Sequence, residues 1–173
     1  MKLMHHKITE MEQQSKLDDL DRQLLSLVQS DCQLSIQQLA ERTGSSGTTC
    51  HRRIKALEDA GFIERRAAIL SFDKLKAAGL VGLQALVEVT LEPQTAENMA
   101  RFQAAAVADG AVQACWRTAS GPDFMLLLVV PDMDGYQQVA HRLFTSGLCV
   151  RNVRTFFATE RAKFLPGVPF SAV

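Results

Sequence analysis

Two kinds of hydrophobic periodicity divide the chain near residues 72–80. Ahead of that point apolar residues recur every three or four positions in short segments, the helical spacing. Behind it, β-branched runs alternate with further helical stretches. A first helix is expected from Asp18 or Asp19, where a carboxylate caps free N–H groups, with Leu20, Leu24, Leu27 and Val28 as its apolar stripe. A second starts with the capping box Ser35–Gln38, buries Ile36, Leu39 and Ala40, and stops at Gly44. A third follows Ser46 and ends before Gly61, with Cys50, Ile54 and Leu57 inward at i, i+4 and i+7. The run FIERRAAILSF (62–72) reads as an extended strand or wing.

From residue 81 the pattern predicts strand VGLQALVEVTL, a helix capped by Thr95 over 95–110, strand AVQACWRTAS and a tight SGPD turn. Strand FMLLLVV, a helix capped by Asp132 over 132–146, and strand VRNVRTFFATE complete the series. This βαββαβ order is that of a ferredoxin-like α/β sandwich, so the fold class is α+β. Both helices then lie on one face of the sheet. Apolar residues on both sides of the strands imply that the other face is buried in an oligomer.

Composition narrows the field only a little. Of the 173 residues 47% are hydrophobic and 22% charged, and nineteen basic residues balance nineteen acidic ones. A basic surface must therefore be local. The N-terminal MKLMHHKITEMEQQ lacks the apolar run of a signal peptide, and no stretch approaches the roughly 18 apolar residues of a membrane span. Cys32, Cys50, Cys115 and Cys149 are scattered without a CxxC pair, which fits reduced thiols in a cytoplasm. The expectation is a cytoplasmic protein with no membrane contact.

Three chemistries compete for TGSSGTTCHRRIKALEDAGFIERR (43–66). A phosphate loop needs a preceding strand and a lysine after its second glycine, and neither is present. Cys50 and His51 are adjacent on a helix, about 100 degrees apart, so they cannot share a metal or act as nucleophile and base. Neither a metal site nor a catalytic group is expected. The third reading is nucleic-acid binding. With Cys50, Ile54 and Leu57 inward, Ser46, Thr48, Thr49, His51, Arg52 and Lys55 lie on or beside the outer face, and no acid falls between Arg42 and Leu57. A short helix, a turn and a second, basic, hydroxyl-bearing helix make a helix-turn-helix. Arg65 and Arg66 follow as candidate phosphate contacts. A merely solvated helix face is the plainer alternative.

LDDLDRQLLSLVQSD, LSIQQLAERTGSSGTTCHRRIKALEDAGFI, SGPDF and VPDM, in this order from about residue 16 to 164, resemble the Lrp/AsnC family of transcription regulators. The resemblance implies a tail (1–16), a winged helix-turn-helix (17–66), a linker strand or hinge (67–80), a ferredoxin-like effector-binding and oligomerisation domain (81–164) and a C-terminal tail (165–173). It implies double-stranded DNA as partner and a homodimer joined through the sheets, assembling to an octamer. No cofactor is implied, but an amino acid or related effector is, bound between C-terminal domains. The matching effector region is Ser120, Gly121, Asp123 and Phe124, with Met133, Phe156, Phe157 and Ala158 expected to face it. Taken alone, the Gly-containing turn offers N–H groups to a carboxylate and Asp123 offers a partner to an ammonium group, or SGPD is simply a hairpin turn. Gly47 stands where the family commonly has proline, Pro122 where an acid is usual, and Trp116–Arg117 where smaller or less basic residues are common. WR before the turn and QSDCQLS after the first helix are similar to cysteine-responsive members, which points to a sulfur amino acid. Two other functions fit the same residues: an architectural DNA binder without effector, and an amino-acid-sensing regulatory subunit of a metabolic enzyme. No acid–base pair or nucleophile constellation supports an enzyme.

Overall fold

The computed structural model describes residues 17–145, 147–165 and 167–170. The expected 1–16 tail lies outside them. The described residues form two compact units, one reaching Ile69 and resuming at Leu165, the other Leu70–Phe164.

In the first unit α1 spans Asp19–Ser30, α2 Ile36–Thr43 and α3 Gly47–Asp59. Each start follows from a local hydrogen bond. Asp18 accepts from the Asp21 N–H while the Asp21 carboxylate accepts from Asp18, a reciprocal cap. Ser35 and Gln38 do the same for α2. Gly44 ends α2 at φ 66°, a left-handed angle that a side chain resists, and so makes the turn into α3. Leu24, Leu39, Cys50, Ile54 and Leu57 meet in the core. Arg53, although on the same helix as the candidate DNA residues, turns back to Asp18 (2.8 Å) and Asp21 (3.2 Å), tying α3 to the start of α1.

The expected strand or wing over 62–72 does not form. Residues 64–71 are exposed and pair with no strand among the described residues, and a strand's N–H and C=O groups need such a neighbour. Ser71 instead caps a short helix α4, Phe72–Ala77, within the stretch expected to be a linker strand.

The second unit is a four-stranded antiparallel sheet built from β1 (Leu83–Leu91), β2 (Val112–Arg117), β3 (Phe124–Val130) and β4 (Val150–Phe157), in the order β2-β3-β1-β4. Helix α5 (Ala96–Ala108) joins β1 to β2, and α6 (Met133–Ala140) leads through a π-helical turn, His141–Thr145, to β4. These are the two interleaved split crossovers of the ferredoxin-like arrangement. Alternation sorts the faces. Ala85, Val87, Val89 and Leu91 point inward with Phe124, Leu126, Leu128 and Val130, under Met99, Phe102, Val139 and Leu143 from the helices. The Phe102 and Phe124 rings pack at 4.9 Å.

The opposite face carries an apolar patch that is exposed among the described residues. Leu86, Trp116 and Phe156 are 46%, 54% and 45% exposed, beside half-buried Met125, Leu127 and Val129. Arg154 reaches Glu88 across the strands (3.2 Å) and lies over the Phe156 ring (5.3 Å), and Gln84, Thr90 and Asn152 are further polar residues on this face.

Candidate nucleic-acid interface and ligand cavity

Helix α3 begins with a hydroxyl exchange. Ser46 Oγ accepts from the Thr49 N–H (3.2 Å) and donates to Thr49 Oγ1 (2.9 Å). These two expected base-reading residues are thus engaged in the cap, which fixes the first turn. Thr48, His51, Arg52 and Lys55 are exposed on the outer side, with no hydrogen bond or ion pair among the described residues. Cys50, fully buried at 3.6 Å from Thr43 Oγ1, faces the core, so it and His51 point apart. Two unpaired cations, an imidazole and one hydroxyl on the outer side of a helix suit phosphate gripping and base-edge contact.

The two arginines after the helix separate. Arg65 is exposed and unpaired among the described residues. Arg66 donates to Glu58 Oε1 (2.8 Å) and to the Cys32 carbonyl (3.3 Å), fastening the segment after α3 to the head. Its expected place at a phosphate is therefore taken by an internal partner. Only structure reveals this, because Glu58 lies eight residues back along the chain.

The expected ligand residues do not form one site within a protomer. Ser120, Gly121 and Asp123 sit at the β3 start, where Val89 pairs with Phe124. Phe156, Phe157 and Ala158 sit where Ala85 pairs with Phe157, four residues along β1 and so roughly 13 Å away. Met133, just past Val130, is at that far end too. Phe156 faces the open side, whereas Phe157 packs edge-on against Tyr136 (5.1 Å) on the covered side. Phe124 is wholly buried against Phe102, so its ring belongs to the core rather than to a ligand surface.

Around the turn itself there is a cavity of about 510 Å³ lined by Gln94, Met99, Arg117, Thr118, Ala119 and Asp123. The segment after β1, the first turn of α5, the end of β2 and the turn all contribute walls. The bend is wider than the expected tight turn. The Thr118 N–H donates to the Asp123 carbonyl (3.0 Å), the Thr118 hydroxyl to the Pro122 carbonyl, and Gly121 takes φ 80°. One oxygen of Asp123, Oδ2, accepts from the Leu91 N–H (2.7 Å) and from Gln94 (3.2 Å), which anchors the bend and leaves Oδ1 uncommitted. Arg117, which also lines the cavity, is exposed and without a side-chain partner among the described residues. Gln94, Met99, Arg117, Thr118 and Ala119 were outside the sequence-based set. Of these, Arg117 alone gave a signal, as an unusual basic residue before the turn.

A second depression, about 550 Å³, is lined by Asp134, Gln137, Gln138, His141 and Arg142. All five belong to α6 and its π-helical continuation, so it is the surface of one helix rather than a site walled by several elements. Arg142 holds Asp109 through two hydrogen bonds (2.8 and 3.2 Å), and that guanidinium keeps the Asp109 carboxyl below its ordinary pKa. Among the described residues no group of three His, Cys, Asp or Glu is placed to hold a metal ion. No helix among them is long and apolar enough to cross a membrane.

Comparison with known proteins agrees with this division of labour. Residues 17–64 match the winged helix-turn-helix DNA-binding family, and residues 84–168 match the Lrp/AsnC ligand binding domain. The chain is 35% identical over 153 residues to the DNA-binding transcriptional activator DecR of Escherichia coli K12, covering 88% of this chain and 98% of that protein. An AsnC family transcriptional regulator from Agrobacterium tumefaciens superposes with a TM-score of 0.78 at 30% identity, over 88% of this chain and 96% of its own. A transcriptional regulator from Neisseria meningitidis, solved as an L-Met complex, gives 0.78 at 27% identity over 89% and 97%. These relatives are regulators of transcription rather than enzymes, and the sensing-subunit alternative has no support among them. The chain belongs to the Lrp/AsnC family, as a transcriptional regulator with a DNA-binding helix-turn-helix and a ligand-binding domain.

Proposed function

We propose that the protein is a sequence-specific regulator that binds duplex DNA as a homodimer and responds to an amino acid held at the turn after β2. The observation that carries the DNA part is the outer face of α3, where Thr48, His51, Arg52 and Lys55 stand unpaired on a helix fixed from behind by Cys50, Ile54 and Leu57. Arg52 suits a bidentate contact to guanine, Lys55 and Arg65 suit phosphates, and Thr48 suits a base edge or methyl group. Two such heads, related by the two-fold axis of paired sheets, read a pseudo-palindromic site. Further pairing of dimers to an octamer is part of the same reading.

Support for the ligand comes from opposite charges lining one cavity. Arg117 suits the carboxylate of an amino acid, and Asp123 Oδ1 its ammonium group. Met99 provides an apolar, polarisable wall for the side chain. The L-Met complex of the Neisseria regulator makes sulfur amino acids the first to examine. No cofactor enters this function.

A thermal-shift screen of the twenty amino acids tests the ligand half. One or two of them should raise the melting temperature of the intact chain, as ligand binding to the native state requires. Arg117→Ala should abolish the rise without altering the unliganded melt. A screen with no response, or an unchanged response in Arg117→Ala, removes this cavity from the account.

A further inference from the structure

The chain's last described segment does not trail away from the fold. Gln29, in the final turn of α1, donates through Nε2 to the Val168 carbonyl (2.9 Å) and accepts through Oε1 from the Val168 N–H (2.7 Å). One side-chain amide thus satisfies both backbone groups of one residue, as a neighbouring strand would. Gly167 makes the approach possible. A Cβ there would lie 3.1 Å from Gln29 Cδ and Nε2, tighter than side chains ordinarily tolerate. Two residues further on, Phe170 is half-buried against the core of the first unit.

At the other end, the point where the chain leaves the second unit is also pinned. The Arg161 guanidinium lies over the ring of Phe72 (5.4 Å) and over that of Phe164 (5.3 Å). Phe72 opens α4, just after the linker enters the second unit, and Phe164 is that unit's last residue. The incoming and outgoing chain are therefore held together at one place in the second unit.

We propose that the C-terminal segment, up to Phe170, is a strap of the DNA-binding head that docks on the end of α1 and steadies that helix within its own unit. The DNA part of this inference rests on the function proposed above. Two exposed hydrogen bonds and one half-buried ring contribute less than ordering half a dozen residues costs, at roughly 1–2 kcal/mol per residue. Two prolines in LPGVPF reduce that cost, leaving a contact that is made but readily released.

The test compares the intact chain, Gln29→Ala and a chain ending at Phe164, by amide hydrogen exchange and by titration with a selected DNA duplex. In the intact chain the Val168 amide should be protected, and Gln29→Ala should remove that protection. Ending the chain at Phe164 should speed exchange in α1, leave β1 and β3 unchanged, and weaken duplex binding by about tenfold, the cost of ordering a loosened head on the duplex. An unprotected Val168 amide in the intact chain overturns the strap. So does a shortened chain with unchanged α1 exchange, or one that binds duplex as well as the intact chain or better. Should the intact chain bind no duplex, the DNA reading fails, while the exchange measurements still decide the strap.

Discussion

Each unit leaves one face uncovered, and the two faces are opposites. The outer side of α3 presents Thr48, His51, Arg52 and Lys55, polar or charged and unpaired. The open side of the sheet presents an apolar patch of Leu86, Trp116, Met125, Leu127 and Phe156, bordered by Gln84, Thr90, Asn152 and the Glu88–Arg154 pair. Water solvates the first at no cost, so its composition needs a polyanionic partner to give it meaning. Water solvates the second poorly, so burial alone is reason for it to be covered. One face therefore speaks for recognition and the other for assembly. What a unit leaves exposed, and not the fold it shares with many proteins, indicates its work.

The contrast can be broken hardest on the sheet. Phe156→Asp sets a carboxylate on the apolar patch, next to Leu86, and should weaken dimerisation by about 3 kcal/mol, roughly a hundredfold. Sedimentation across a concentration series reads this directly, and an unmoved dimer would show that the sheets do not pair there. On the head, Arg52→Ala should cost about 1–3 kcal/mol in duplex affinity and relax preference at one base pair, leaving the dimer intact. Arg65→Ala should instead weaken all sequences alike and lower the salt dependence by about one phosphate contact.

Acid sharpens the comparison, since each unit carries a depressed carboxyl away from its open face. Asp18 is held below its ordinary value first by the Asp21 backbone N–H and also by Arg53, and Asp109 chiefly by Arg142. A lowered folded-state pKa adds stability that is complete above the unfolded carboxylate value and disappears as pH falls through the folded one. Melting temperature should therefore fall below about pH 4. Arg142→Ala should reduce stability near neutrality and flatten the acid dependence of the sheet unit, a change visible in paired pH-melt series.

The smallest effect concerns Gly47, the first residue of α3. A Cβ there would meet only Ile36 Cγ2, at an ordinary 3.6 Å, and its φ is not left-handed. Gly47→Ala should stabilise the head by about 0.4–1 kcal/mol, by restricting the unfolded chain. A destabilised variant in a thermal melt would mean that the glycine is needed for a backbone approach at the helix start.

How far the sequence led depended on how local the determining contact was. Asp18, Ser35, Thr95 and Asp132 cap helices through bonds three residues long, and Gly44 turns the chain by itself, so a linear reading finds them. The linker misled because AAILSF is apolar enough for a strand, yet no neighbour is there to pair with it, and the Ser71 cap prevails. Arg66 looks like a phosphate contact until Glu58 is seen beside it. The ligand residues were the hardest to place. Strand register puts Phe156 and Ser120 at opposite ends of the sheet, and the same register brings Arg117 beside Phe124 and the turn.

Selection of duplexes from a random pool, followed by titration of the winner and of its scrambled counterpart at one salt concentration, tests the central claim most directly. The account predicts an inverted repeat bound about a thousandfold or more tightly than the scrambled sequence, with the preference diminished by Arg52→Ala. Equal affinity for both duplexes, falling steeply with salt, would contradict it and leave an architectural DNA binder in its place.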